Sequence, residues 1–382
     1  MDAMPFPSSL YVHLPWCVKK CPYCDFNSHE DAILKDKKKY IAALKKDIAM
    51  EGHRFSGAIL KTIFIGGGTP NLFTPEEINE LINEIKFYFK FNKHIEITME
   101  VNPGSLEKKK LSDYKLAGIN RLSIGAQSFN PQLLKLLGRT HNVEDIFSTI
   151  ENARLADFKN INLDLMFGLP SQTMKLAQKD LREAINLNPE HISYYQLTVE
   201  PNTIFYKKRP KNLPSSDRLY NMHESGLEIL EAANYSRYEI SAFAKPQEEC
   251  QHNLNYWIFG DYIAVGAGAH GKYTFNNDVY RYQKPSLPRA YVNTNFEKND
   301  FKLKKLKQSE IIFDYMLNNL RLISGFKETH FEDFTNISFN IIEQKLVKLK
   351  RLGLMQNDGE HCWQLTALGL RFLDDAQAEF LP

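Results

Sequence analysis

Six short runs rich in apolar and β-branched residues alternate with segments of helical spacing through the first half of the chain. The runs are SLYVHLP, KTIFIGGG, HIEITMEVNP, RLSIGAQSF, NINLDLMFGLP and HISYYQLTVEP, and between them lie DKKKYIAALKKDIAMEG, TPEEINELINEIKFYF, VEDIFSTIENARLADF and LAQKDLREAINLNP. Strand, helix, strand repeated in this way predicts an α/β fold, a parallel sheet covered by helices. An open or closed β/α barrel of about six to eight units is expected, over roughly residues 8–230. A doubly wound sheet is the alternative, because strand order is not legible in one sequence. Most of the strands end in Gly, Pro or a polar residue: Gly66 to Thr69, Glu100 to Pro103, Gln127, Gly168 to Pro170 and Glu200. In a β/α barrel the chemistry sits at such strand ends.

Residues 235–300 are less regular and rich in aromatics and glycine, and the Lys-rich FKLKKLKQ reads as a linker. Beyond it, SEIIFDYMLNNLRLI, KETHFEDF and FNIIEQKLVKLKRLGL have helical spacing. LMQNDGEHCWQLT reads as a hairpin with Asp358-Gly359 at its turn, followed by the helix ALGLRFLDDAQAEF. The expected division is a barrel with its aromatic extension over 1–300 and a small, mainly helical, winged-helix-like domain over 301–382. Winged helices often bind DNA, but residues 301–382 carry 11 Lys/Arg against 11 Asp/Glu. A basic footprint is missing, so a packing or lid module is expected there.

The whole chain, with 48 basic and 46 acidic side chains, gives no charge signal for nucleic acid or an anionic membrane. The N-terminus has no basic region followed by an apolar run, and no window approaches the roughly 18 apolar residues of a membrane span. A cytoplasmic protein is expected.

Three of the five cysteines fall within CVKKCPYCDF, as Cys17, Cys21 and Cys24. Structural zinc, with His13 or His29 as a fourth ligand, is one reading, although such sites usually take ligands as two separated pairs. Three thiolates on one tight loop suit three corners of a [4Fe–4S] cluster, with one iron left open for a ligand. Clustered thiols also fit a reducing compartment better than a disulfide framework does.

C-x3-C-x2-C after a first strand, with Tyr23 just before the third cysteine, resembles the signature of radical SAM proteins. The resemblance extends through YVHLPWCVKKCPYCDF, IFIGGGTP, MEVNPG, RLSIGAQSF, LLGRTH, NLDLMFGLP and HNLNYW. Together these are similar to the oxygen-independent coproporphyrinogen III oxidase-like group, and closest to its haem-chaperone branch, the HemW type. That resemblance implies a full or partial β/α barrel of the radical SAM type. It also implies a [4Fe–4S] cluster on Cys17, Cys21 and Cys24, whose open iron binds the amino and carboxylate groups of S-adenosylmethionine. Tyr11, Gly67 and Glu100 fall at family positions that contact this S-adenosylmethionine. Tyr23, Gly68, Thr69, Gln127, Arg139, Asp164 and Thr198 match positions that contact a second molecule in the oxidase. Read as residues alone, GGGTP could be only a turn, the acids could be surface groups or helix caps, and Arg139 could pair with Glu144 or Asp145.

Two features depart from the oxidase. It has a further cysteine where this chain has Phe26, and a longer N-terminal extension than the ten residues before Tyr11 here. Both favour a haem chaperone with haem as a further cofactor and no catalytic residues, the radical oxidase being the alternative. His252, Tyr256 and Trp257 in HNLNYW are the candidate haem contacts, His252 as axial ligand ahead of Cys250; a core histidine among core aromatics is the plainer reading. The resemblance further implies haem-requiring recipient proteins, an electron donor such as a flavodoxin or ferredoxin, and peripheral membrane association.

Overall fold

The computed structural model describes residues 7–30, 37–104, 106–296, 302–359 and 361–382. Each of the six apolar runs forms a strand: β1 (Ser9–Leu14), β2 (Ile59–Gly67), β3 (Lys90–Val101), β4 (Arg121–Gln127), β5 (Asn160–Phe167) and β6 (His191–Gln196). They lie side by side in sequence order, every pair parallel. Order among them never reverses, so the sheet is wound in one direction and the doubly wound alternative falls. The crossovers carry α1 (Lys37–Arg54), α2 (Pro75–Tyr88), α3 (Lys108–Leu116), α4 (Pro131–Leu136), α5 (Val143–Leu155) and α6 (Met174–Asn186). Local chemistry sets their starts. Thr74 and Asn142 each close a capping box, with Glu77 and Asp145 respectively, and Thr173 caps α6.

After β6 come α7 (Ile204–Lys207), α8 (Ser216–Ala232), β7 (Ser236–Glu239), β8 (Ala242–Ala244) and α9 (Gln251–Trp257). Then follow β9 (Tyr262–Val265), β10 (His270–Phe275), β11 (Asp278–Gln283), α10 (Pro288–Val292) and β12 (Lys302–Lys305). β9 joins the outer side of β1 in parallel, and β8 joins β6 antiparallel. The sheet therefore runs β12-β11-β10-β9-β1-β2-β3-β4-β5-β6-β8-β7 and does not close. It is a partial barrel.

Two expectations are corrected. FKLKKLKQ is not a linker: Lys302–Lys305 pairs antiparallel with β11 as the edge strand. The last helix is broken at Phe372 into two short ones, Ala367–Arg371 and Leu373–Ala378. Ahead of them, helices Gln308–Asn319, Glu328–Thr335 and Asn340–Arg351 pack with a three-stranded sheet of Phe326–Lys327, Met355–Asn357 and Cys362–Leu365. Their core includes Tyr315, Phe331, Ile342, Leu346 and Trp363, and it also takes in Phe259 and Val279 from the barrel extension. The C-terminal unit thus shares a core with the extension.

Successive side chains of a strand face opposite ways, and here the two faces differ in kind. On β4, Leu122, Ile124 and Ala126 pack into the main core; on β5, Ile161, Leu163 and Leu165 do the same, with Leu44, Leu81, Leu111, Ile150 and Leu181 from the helices. The opposite face is polar: Arg121, Ser123 and Gln127 on β4, Asn162 and Asp164 on β5, His191, Ser193 and Tyr195 on β6. An ordinary barrel interior is filled with branched apolar residues. This one is a cavity.

Candidate functional site

The polar face lines a cavity of about 420 Å³ that extends from the loop after β1 to the N-terminal end of β4. Cys17, Cys21 and Cys24 line it, with Tyr23, Gly67, Gly68, Glu100, Gln127, Arg139, Asp164, Thr198 and Trp257. The structure therefore gathers most of the expected residues, from eight separate stretches of chain. Tyr11, Thr69, His252 and Tyr256 do not line it, and each has another place.

The cysteine loop is held from both sides. Cys17 N–H donates to His29 O at 3.0 Å, and Cys24 N–H to Cys21 O at 3.1 Å. Phe205 N–H on α7 donates to Pro22 O at 2.9 Å. On the other side the GGG turn after β2 fits under the loop: Gly68 donates to Leu14 O, and a Cβ on Gly68 would collide with the carbonyl of Trp16. Gly67 has φ 117° and abuts the His13 ring, so a side chain there is excluded twice over. Burial pushes the Cys17 and Cys24 thiols up. Such thiols become ligands when a metal supplies the compensating charge. Arg139 lies against them, with Nη1 3.8 Å from Cys21 Sγ and Nη2 donating to Asn102 Oδ1 at 2.7 Å and Gly125 O at 2.8 Å. It faces the cluster loop, not Glu144 or Asp145.

Zinc finds less support. His13 has both ring nitrogens engaged, with the Tyr11 hydroxyl and with Asn27 O, each at 2.9 Å. His29 Nε2 lies 3.2 Å from Asn27 Oδ1. Among the described residues, no three His, Cys, Asp or Glu side chains form a ready site for a single metal ion. The donor set instead fits a cluster, whose three ligated corners are separate irons, each taking one thiolate.

Next to the loop, Glu100 Oε2 accepts from Gly67 N–H at 2.9 Å. Burial raises its pKa to about 7, partly offset by that hydrogen bond, and the nearby Asp164 charge adds to the rise. Tyr11 stands behind it, bonded to His13. Gln127 closes β4 with φ 67°, a left-handed backbone rare for a non-glycine residue, where a bulge ends the pairing with β5. Its Oε1 accepts from the Tyr195 hydroxyl at 2.7 Å. Asp164 accepts from Asn162 Nδ2 at 2.8 Å and Ser123 Oγ at 3.2 Å. Thr69 is buried and acts through Asn102, whose Nδ2 donates to Thr69 Oγ1 at 2.9 Å. Thr198 is exposed at the rim.

The HNLNYW segment, which forms α9, separates into two parts. His252 is 1 % exposed and hydrogen-bonded at both nitrogens, Nδ1 to Thr62 Oγ1 at 2.8 Å and Nε2 to the Tyr256 hydroxyl at 2.9 Å. It is a satisfied core histidine, and an iron would gain a nitrogen only by displacing Thr62 or Tyr256, which tells against the expectation of an axial ligand. Tyr256 serves that bond and stacks edge-on against Tyr262 at 4.5 Å. Cys250 is buried and its thiol donates to Glu96 Oε1 at 3.7 Å. Of this segment, Asn253 and Trp257 reach the cavity. Arg321 lies over the Trp257 ring at 4.4 Å, and the indole Nε1–H is buried without a hydrogen-bond partner.

Residues 11–184 match the Radical SAM superfamily. The chain is 43 % identical to the heme chaperone HemW of Haemophilus influenzae over 98 % of each chain, and 41 % identical to that of Escherichia coli over 98 % of each. The chain belongs to the HemW family of radical SAM proteins. In structure it is similar to coproporphyrinogen III oxidase (HemN) from Escherichia coli, with a TM-score of 0.82 at 24 % identity over 98 % of this chain and 90 % of that one. That likeness speaks for the fold. No helix among the described residues is long and apolar enough to cross a membrane.

Within this HemW-family chain, sequence reasoning missed the lower half of the cavity. Arg121, Ser123, Asn162, His191, Ser193 and Tyr195 all line it. Their signal was present: RLSIGAQ, NINLDLMF and HISYYQ each place a polar residue at every second position of a strand otherwise apolar.

Proposed function

We propose that this chain is a haem chaperone of the HemW type, holding a [4Fe–4S] cluster and S-adenosylmethionine and delivering haem to haem-requiring proteins in the cytoplasm. The observation that carries this reading is the joining of three cysteines and a polar, ligand-sized cavity in one barrel, in a chain that matches named HemW proteins end to end. Cys17, Cys21 and Cys24 hold the cluster, and Arg139 offsets the charge of the thiolates. Bound there, the cluster supplies an open iron for the amino-acid end of S-adenosylmethionine and an electron for its sulfonium. Gly67 and Glu100, backed by Tyr11, form the wall for that molecule: Gly67 gives close backbone approach, and ionised Glu100 attracts an ammonium or a ribose hydroxyl pair. Tyr23, Gly68, Gln127, Asp164 and Thr198 continue the wall for a second molecule, with Thr69 positioning Asn102. Trp257 offers a flat face, and stacking on it contributes roughly 0.5–1.5 kcal/mol beyond burial.

The electron donor is a flavodoxin- or ferredoxin-like protein, and recipients meet the chaperone at the membrane surface. Phe26, at 57 % exposure, occupies the place of the oxidase's additional cysteine, and no observation favours porphyrinogen oxidation over haem binding. The test is a haem titration of the purified protein beside an anaerobic assay with coproporphyrinogen III, reductant and S-adenosylmethionine. Saturation near one haem per chain without product is expected. Conversion of the porphyrinogen without saturable haem binding would replace the chaperone by the oxidase.

A further inference from the structure

Much of the cavity's polar lining is internally satisfied, and two buried groups are exceptions, the Trp257 Nε1–H and the charged Arg121. Asn162 Nδ2 donates to Ser123 Oγ and Asp164 Oδ1, both at 2.8 Å, and Ser193 Oγ donates to Asn162 Oδ1 at 3.1 Å. His191 completes the network, with Nδ1 2.6 Å from Asn162 Oδ1 and Nε2 2.8 Å from the Tyr238 hydroxyl. Arg121, the first residue of β4, lines the same cavity at its far end from the cysteines. It is 2 % exposed, its Nε is buried without a partner, and its guanidinium makes no hydrogen bond or ion pair among the described residues. The acids that act on it electrostatically, Glu96 and Asp164, are turned to other donors: Glu96 accepts from Gln251 N–H and His252 N–H, each at 3.1 Å.

An arginine cannot escape burial by losing its proton, and a buried cation without hydrogen bonds is costly to keep. Its planar fork matches a carboxylate. We propose that Arg121 is a carboxylate-binding residue, taking an acid group of the molecule that enters this cavity. Under the haem reading, on which this part rests, the acid is a propionate; the same chemistry is offered by the carboxylate of a second S-adenosylmethionine, that of the first being given to the open iron. The distance along β4 from Gln127 to Arg121, about 20 Å at the rise of a strand, sets this subsite well apart from the cluster loop. Trp257, with its own unpartnered Nε1–H, lines the same cavity.

The full-length, anaerobically reconstituted protein is titrated with haem, with haem dimethyl ester and, separately, with S-adenosylmethionine, in the parent, Arg121→Met and Arg121→Lys forms. If a propionate is the partner, the parent prefers haem to its ester by about tenfold or more, and Arg121→Met abolishes the preference. If the cofactor carboxylate is the partner, Arg121→Met weakens S-adenosylmethionine by a similar factor and leaves haem unchanged. Should Arg121→Met not fold, Arg121→Lys, which keeps the charge and loses the fork, carries the same comparisons. Unchanged affinity for haem and for S-adenosylmethionine in the folded variant, whatever its stability, overturns the proposal and leaves Arg121 a structural counter-ion to Glu96 and Asp164. A parent protein that binds no haem ends the chaperone reading, while the S-adenosylmethionine arm still decides Arg121.

Discussion

Glu100 shows how one residue's surroundings set its chemistry. Its raised pKa, about 7, comes chiefly from burial and then from the Asp164 charge. Only the ionised form attracts a cationic ligand, so S-adenosylmethionine should bind more tightly as pH rises through about 7 and level off above it. In the ligand-free chain the sign is opposite. The folded state holds a proton that the unfolded chain gives up near its ordinary 4.5, so stability falls as pH climbs from there to about 7, by on the order of 3 kcal/mol. Calorimetric titration across this range checks the first expectation, and Glu100→Gln should flatten the profile; a flat profile in the parent contradicts it. At His252 the structure predicts stability, not haem. His252→Ala strands the buried Tyr256 hydroxyl, Thr62 keeping its bond to Ser9, and should cost about 1–3 kcal/mol in urea unfolding while haem affinity stays put. Lost haem binding at unchanged stability would reinstate the axial ligand.

The elements were legible where a pattern had a single physical cause. The six parallel strands declared themselves through apolar β-branched runs, because each must bury one face under helices. β12 did not, since all four of its residues are exposed and an edge strand needs only backbone pairing; its lysines guard that edge. The cavity wall escaped for the opposite reason: apolar residues of β4, β5 and β6 dominate the pattern, and the polar ones between them read as interruptions. Cys17, Cys21 and Cys24 were legible as a group because they lie within eight residues of sequence, whereas the saturation of His252 depends on Thr62, nearly two hundred residues away and beyond any local pattern.

Contacts between distant elements also carry the barrel's seam. Lys284, just after β11, bonds Asp47 at 2.7 Å and Glu51 at 2.6 Å on α1, all three side chains wholly buried, and the Tyr291 hydroxyl donates to Asp47 at 2.7 Å. Lys284→Met leaves two buried carboxylates without their ammonium and should destabilise by about 3–5 kcal/mol. Equilibrium unfolding in urea measures this, and an unchanged midpoint would mean the acids are held by other means.

At the scale of the molecule, one partial barrel joins two ends: a cysteine loop pinned by α7 and the GGG turn, and a polar floor closed by Trp257 and Arg121. The extension and C-terminal unit share a core behind that floor, so the module after residue 301 is packed onto the barrel by Phe259 and Val279. Function at the first end requires a cluster site with an open corner. Electron paramagnetic resonance of the reduced, reconstituted protein, recorded with and without S-adenosylmethionine, tests this most directly. A [4Fe–4S] signal is predicted, from about four iron per chain, that shifts when S-adenosylmethionine is added and disappears in Cys24→Ala. A cluster signal indifferent to S-adenosylmethionine, or a protein that keeps one zinc and no cluster, would contradict it.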